Sequence, residues 1–207
     1  KAFTTSGTDR AIFVLFDNEG GPDDFTGVTF NGDALAEIGT RVQEGTTGRY
    51  SHTYALVNPD VGTYNVVISR SSSNQVNYAI ISYTGVNQTT FVNASTTQQF
   101  AAPIGTATTN LTTTVDNSWT VLFSRGGRII SASTGSTMRS LSSIAAVHDS
   151  NGPITPAGAT SMAYTQSPDD TASCSQMFSI SPAAAAVDNT QNNGCHGELH
   201  GEVHCQM

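Results

Sequence analysis

Ala11-Ile12-Phe13-Val14-Leu15-Phe16 is an unbroken apolar run bounded by polar residues. A run this short, with no helical spacing and with turn chemistry at its end, reads as a β-strand covered on both faces. The acidic, glycine-containing loop Asp17–Asp24 terminates it. Thr26–Phe30 is a second, shorter strand. Asn31-Gly32 after it is a strong two-residue hairpin signal, with Asp33–Ile38 as the return. Arg49–Val57 alternates with period two: Tyr50, His52, Tyr54 and Leu56 share one face, and Ser51, Thr53 and Ala55 share the other. Asn58-Pro59-Asp60 followed by Gly62 is a turn, and Tyr64, Val66 and Ile68 open the next strand.

The style continues along the chain. Val76–Tyr83 follows a serine-rich loop. Leu111, Thr113 and Val115 alternate with threonines, Asp116-Asn117 turns, and Trp119, Val121 and Phe123 face one way. Ile144–Val147, Met162–Thr165 and Cys174–Ile180 bring the expected total to about ten strands, with no helical periodicity of useful length. The fold class is therefore all-β: an antiparallel β-sandwich of two packed sheets, with jelly-roll-like winding, and a short His/Cys-rich C-terminal tail. The character changes at Pro182, which places the sandwich domain at 1–182, a small-residue and polar linker at 183–194, and the tail at 195–207.

Composition narrows the function classes. Charged residues make up 12% of the chain, about half the ~25% usual for a soluble domain. Ser, Thr, Asn, Gln and Gly take their place, as suits strands and turns that face water. Lysine occurs once, at Lys1, and the formal net charge is −8, so no basic stripe exists to track nucleic acid. No apolar run approaches the ~18–20 residues of a helical membrane span. A chain beginning at Lys1 reads as a processed mature protein or an excised piece. Cys174, Cys195 and Cys205 cannot all pair within one chain and leave the redox compartment open.

Thr29-Phe30-Asn31-Gly32-Asp33-Ala34-Leu35, Leu56-Val57-Asn58-Pro59-Asp60-Val61-Gly62-Thr63 and Ser82-Tyr83-Thr84-Gly85-Val86-Asn87-Gln88-Thr89-Thr90 stand in order along the chain. Asp116-Asn117-Ser118-Trp119 and Pro156-Ala157-Gly158-Ala159-Thr160-Ser161-Met162 follow. Together, over roughly Thr8 to Pro182, this series resembles a class of secreted bacterial and phage-associated jelly-roll-like β-sandwich surface modules. The resemblance implies a non-catalytic structural or adhesive unit, extracellular or on a cell or virion surface. It implies as partners copies of itself or other surface or virion proteins. Fold analogy of this kind carries no site.

Candidate chemistry is sparse in the sandwich. No nucleophile elbow, phosphate loop or His-Glu-x-x-His motif occurs. His148-Asp149 precedes a Ser-Asn-Gly turn without a positioned partner, and His52 lies mid-strand between two tyrosines as a packed or rim histidine. In the loop after the first strand, Asp17, Glu19, Asp23 and Asp24 are a calcium candidate, although their spacing is not that of an EF-hand and the plainer reading is a solvated acidic loop. Tyr50, Tyr54, Tyr64 or Trp119 would supply a stacking platform if the module bound glycans, which is the main alternative function. Trp119 alternates with Val121 and Phe123 and so reads as core.

The densest signal is Cys195-His196-Gly197-Glu198-Leu199-His200-Gly201-Glu202-Val203-His204-Cys205, which holds three of the five histidines. Four-residue spacing brings His196, His200 and His204 to one face of either a helix or a strand. Imidazoles with the Cys195 and Cys205 thiolates suit zinc, copper or nickel. Duller explanations are an expression remnant, or a Cys195–Cys205 disulfide with the histidines in water. Haem is a further alternative, since Cys205-Gln206-Met207 would open an attachment motif in a longer haem-bearing extracellular protein.

Overall fold

The computed structural model describes residues 1–18, 21–46, 48–72, 75–127, 129–132, 135–142, 144–167 and 171–184. They form seventeen strands and no helix, and every strand pairing is antiparallel. The all-β class expected from the strand and turn pattern is what the described residues adopt.

The first half builds two sheets. One runs in the order β1 (Ala2–Thr5), β8 (Gly62–Arg70), β3 (Phe25–Phe30) and β4 (Asp33–Ala34). The other runs β5 (Ala36–Glu37), β7 (Tyr50–Val57), β2 (Ala11–Asn18) and β9 (Val76–Tyr83), with β6 (Val42–Gln43) also on β7. The second half repeats the plan. One sheet has the order β10 (Val92–Phe100), β17 (Ser173–Ile180), β12 (Trp119–Arg125), β15 (Ala145–Asp149) and β14 (Thr137–Leu141). A smaller one has the order β11 (Thr106–Thr112), β16 (Ala159–Gln166) and β13 (Ile129–Ala132).

Two sheets were expected, and four are present, stacked in four layers. Three separate cores fix that order. Ile12, Val14, Phe16 and Ile80 pack with Phe3, Val28, Phe30 and Val66, which joins the two sheets of the first half. Leu122, Ala146 and Met177 pack with Ala107, Met162 and Tyr164, which joins those of the second. Between them, Phe13, Leu15 and Ile81 meet Val121, Phe123 and Phe178, so the two sandwiches share a central dry interface. Consequently every residue of β2, β15 and β17 is buried. Residues of β2 alternate between two partners, as the period of a strand requires. On the strands read from the sequence, Phe13, Leu15, Val66, Ile80, Val121 and Phe178 are buried, while Ile68 and Trp119 are partly buried against the clusters.

The turn predictions find their cause in backbone sign. Asn31 and Gly32 both take positive φ, 51° and 92°, as the tight β3–β4 hairpin needs. Asn58, Asn117 and Asn151, at the three other predicted turns, are also left-handed, at φ 49°, 61° and 53°. Asparagine tolerates that region better than any β-branched residue.

The outward faces of β8 and β11 carry no charge. On β8, Thr63, Asn65, Val67 and Ser69 point outward and are exposed, and the Thr63 hydroxyl meets that of Thr4 across the strands at 2.7 Å. On β11, Thr106, Thr108, Asn110 and Thr112 do the same. These strands cover the cores with one face and meet water with the other.

Candidate functional site

The polar end of the central interface gathers the chemistry that the described residues hold. Asp17 and Asn18 close β2, Glu44 follows β6, and Arg125 closes β12, so the two sandwiches meet there through charges instead of methyl groups. Arg125 Nε lies 3.1 Å from Asp17 Oδ1, and its NH1 donates to Glu44 Oε2. Arg49 approaches the same Glu44 oxygen at 3.4 Å, and Asn77 donates to Asp17 Oδ1 at 3.0 Å. Asp17, Glu44 and Arg125 are all buried. Two carboxylates against two guanidiniums leave no net charge, which is the condition for burying ions without a large penalty. Beside them, Thr53 donates to Gln176 Oε1 at 3.1 Å and Gln176 donates to the Thr40 carbonyl at 2.9 Å, both across the interface.

The acidic loop is distributed, not convergent. Asp17 goes inward to Arg125. Asp23 pairs with Arg41 at 2.5 Å and with His52 Nε2 at 3.1 Å. Asp24 pairs with Arg70 at 3.1 Å, and the hydrogen bond from Ser72, with the Arg70 charge behind it, holds its carboxyl below the usual value against the opposing effect of burial. Each of these three carboxylates thus has its own cationic partner. Glu19, the fourth calcium candidate, lies outside the described residues. Among the described residues no group of three or more His, Cys, Asp or Glu is arranged to hold a metal ion. Asn18 ties the loop instead: its carboxamide donates towards the carbonyls of Gly21, Pro22 and Gly48 and accepts from the Tyr50 amide.

His52 is packed, as expected of a mid-strand histidine. Its ring stacks on Phe16 at 5.2 Å, with Asp23 on Nε2 and Glu37 on Nδ1 at 2.8 Å. The two carboxylates therefore approach it from opposite sides. Burial first, then the charges of Glu37 and Asp23, raise the neighbouring Tyr54 phenol.

Ser124 and His148 make a contact that looks like a nucleophile and its base. Oγ and Nε2 are 3.1 Å apart between the two sheets of the second sandwich, where both residues are completely buried. Nδ1 has no hydrogen-bond partner among the described residues. The adjacent Asp149 is directed by strand alternation to the opposite face, where it takes Arg139 at 2.8 Å. Burial lowers the His148 pKa to about 4, leaving a neutral imidazole stacked on Tyr164. Cys174 is likewise pushed up to about 12 by burial, so it is a thiol with Ser51 as its 3.5 Å neighbour. Such a thiol is not an activated nucleophile.

His148 sets a pH dependence whose sign follows from its lowered pKa. Between about 4 and 6.5 the unfolded chain takes up a proton that the folded imidazole refuses. Stability is therefore full above pH 6.5 and falls as pH drops towards 4, by about 3 kcal/mol in all. In urea titrations from pH 7 to pH 4.5, the wild type is expected to lose about 2–3 kcal/mol more than His148→Gln. Parallel losses in the two proteins would rule the histidine out.

The aromatic residues considered for glycan stacking go to different places. Tyr54 and Tyr64 pack on the first-half core and Trp119 on the central one, where it lies 6.2 Å from Tyr83. Tyr50 carries the Arg41 guanidinium over its ring at 5.3 Å. The structure does not assemble them into one platform. The tail residues Cys195, His196, His200, His204 and Cys205 lie outside the described residues. Glu44, Arg125 and Asn18 are the polar residues that sequence reasoning passed over. For Asn18 and Arg125 the signal was an amide or charged side chain at the end of a strand too apolar to face water, since such a group needs a buried partner, while Glu44 follows the short Val42–Gln43 strand and carried no such signal. Comparison with family models, with curated proteins and with solved structures finds no match to this chain.

Proposed function

We propose that this chain is a non-catalytic structural or adhesive surface module, working outside the cytoplasm as part of a larger assembly. The observation that carries the reading is where the ionisable groups go. Asp17, Glu44 and Arg125 hold the sandwiches together, and His148 and Cys174 are sealed in neutral form. What the stack offers on β8 and β11 is regular, uncharged strand surface suited to packing against other chains. Sedimentation and electron microscopy of the natively purified protein are expected to show assemblies that grow with concentration. A monodisperse monomer that binds on a glycan array would replace this reading with carbohydrate binding.

The proposal includes a transition-metal centre in the tail, formed by His196, His200 and His204 with one or both of Cys195 and Cys205. The donor set supports it: neutral imidazole and thiolate are what zinc, copper and nickel prefer. Metal analysis should find about one ion per chain in the native protein and none after changing the three histidines to alanine. Equal metal content in both proteins would sink the centre and leave the module reading standing.

A further inference from the structure

Asn87-Gln88-Thr89, Asn93-Ala94-Ser95 and Asn110-Leu111-Thr112 have the Asn-x-Ser/Thr pattern that N-linked glycosylation requires. A pattern this short arises by chance in a chain rich in Ser and Thr, so the surroundings of each asparagine decide which can carry a sugar. The modification replaces one hydrogen of the carboxamide Nδ2 with a bulky, hydrated group, so the site must open to water. Asn93, on β10, fails on both counts. Its Nδ2 donates to Ser118 Oγ at 2.8 Å and to Ser181 Oγ at 3.1 Å, so both hydrogens are engaged, and Ser179 donates to its Oδ1 at 2.7 Å. Asn87 is half-buried in the turn after β9. Its Oδ1 accepts from the amides of Thr89 and Thr90 at 2.9 and 2.8 Å, and its own amide donates to Ser181 O at 2.9 Å.

Asn110 differs from both. Strand alternation turns Asn110 and Thr112 to the same outward face of β11, where both are exposed, and sends Leu111 between them into the core of the second sandwich. The amide and the hydroxyl of the pattern therefore stand together in water. A recess of about 350 Å³ opens beside them, lined also by Ala159 and Ser161 of the neighbouring β16, so only small side chains flank the asparagine there. The strand also lacks protection. Among the described residues β11 is an edge strand that pairs only with β16, and its seven residues include neither a charge nor a proline. Edges of this kind are usually guarded by lysine, proline or another device that keeps a further strand away.

We propose that Asn110 is N-glycosylated, and that the sugar is the guard of this edge. The inference rests on the reading of the protein as one that works outside the cytoplasm, since it meets the glycosylating enzyme during export. The donor is an oligosaccharide carried on a lipid pyrophosphate. The bond between its anomeric carbon and the pyrophosphate oxygen breaks, the anomeric carbon bonds to Asn110 Nδ2, the lipid pyrophosphate leaves, and a base of the transferase takes the amide proton. A sugar there commits the β11 face to water, which leaves the uncharged face of β8 for packing against other chains.

The test is peptide mass spectrometry of the full protein purified from its source, with Asn110→Gln, Thr112→Val and Thr112→Ser made in the same host. Chymotryptic cleavage after Phe91 and Phe100 places the three asparagines on separate peptides. The peptide of Asn110 is expected to carry added sugar mass, and that of Asn93 none. Asn110→Gln and Thr112→Val should lose the added mass entirely, and Thr112→Ser should keep it, because serine supplies the same hydroxyl. Sugar that survives Asn110→Gln would overturn the proposal, because it would then sit on a threonine hydroxyl. An unmodified Asn110 in protein collected outside the cell would overturn this inference and leave the surface-module reading standing. Protein found only in the cytoplasm, with Asn110 bare, would overturn both.

Discussion

Replacing Arg125 with methionine is expected to cost about 3–5 kcal/mol of folding stability, read as a fall in the urea midpoint at pH 7. The guanidinium is the shared cation of Asp17 and Glu44, and all three are buried where β12 meets β2 and the segment after β6. Methionine fits a similar volume, so packing loss is small, and the cost arises from two carboxylates left in a low-dielectric interior. Arg49, which approaches Glu44 at 3.4 Å, is itself partly exposed and so replaces a buried guanidinium poorly. A triple variant, Asp17→Asn/Glu44→Gln/Arg125→Met, removes the charges together and should be more stable than Arg125→Met alone. If the single variant stays within about 1 kcal/mol of wild type, the cluster does not hold the two sandwiches together. The same conclusion follows if the triple variant is no better than the single one.

That cluster also marks where sequence reading stops. β2 was legible because an unbroken apolar run has only one economical explanation, cover on both faces. β12 was legible in part: Trp119, Val121 and Phe123 do share a face, the one towards the central interface. β17 shows a burial that its sequence does not announce, since Ser173, Ser175, Gln176 and Ser179 are polar yet buried, on both faces of the strand. Ser175 satisfies the Thr109 hydroxyl at 2.6 Å and Gln176 spans to Thr40 and Thr53, so polar side chains complete the interior by bonding one another. Periodicity reports how many faces of a strand are covered, not which sheet covers them, and so two layers were expected where four exist. β10 escaped notice altogether because Asn93 to Gln99 offers no apolar alternation, which an edge strand on β17 does not require. The Asp17–Arg125 pairing is non-local, and no local pattern joins its two ends. The acidic loop was seen, but carboxylates crowded in sequence go to different partners in space: Asp17 to Arg125, Asp23 to Arg41 and His52, and Asp24 to Arg70.

Phe13→Ala is expected to cost about 3–5 kcal/mol, and through its effect to show whether the two halves fold as one unit. The ring belongs to β2 in the first sandwich but stacks on Phe178 of the second at 5.0 Å and 22°, with Tyr83 edge-on at 6.0 Å. It is fully buried, so truncation leaves a cavity that neither central sheet can close without moving the other. Phe178→Ala should cost a similar amount, and the double variant should reveal a coupling of about 0.5–1.5 kcal/mol from the stacked pair. Trp119, the only tryptophan, sits at this interface on the second half and reports on it by fluorescence, while circular dichroism reports on all the strands. The two signals should move together to lower urea in Phe13→Ala, because a defect on β2 weakens the sandwich that carries the tryptophan. A fluorescence midpoint that stays at its wild-type value while the dichroism midpoint falls would mean that the halves unfold independently. The central layer would then be a docking contact between two domains and not the core of one.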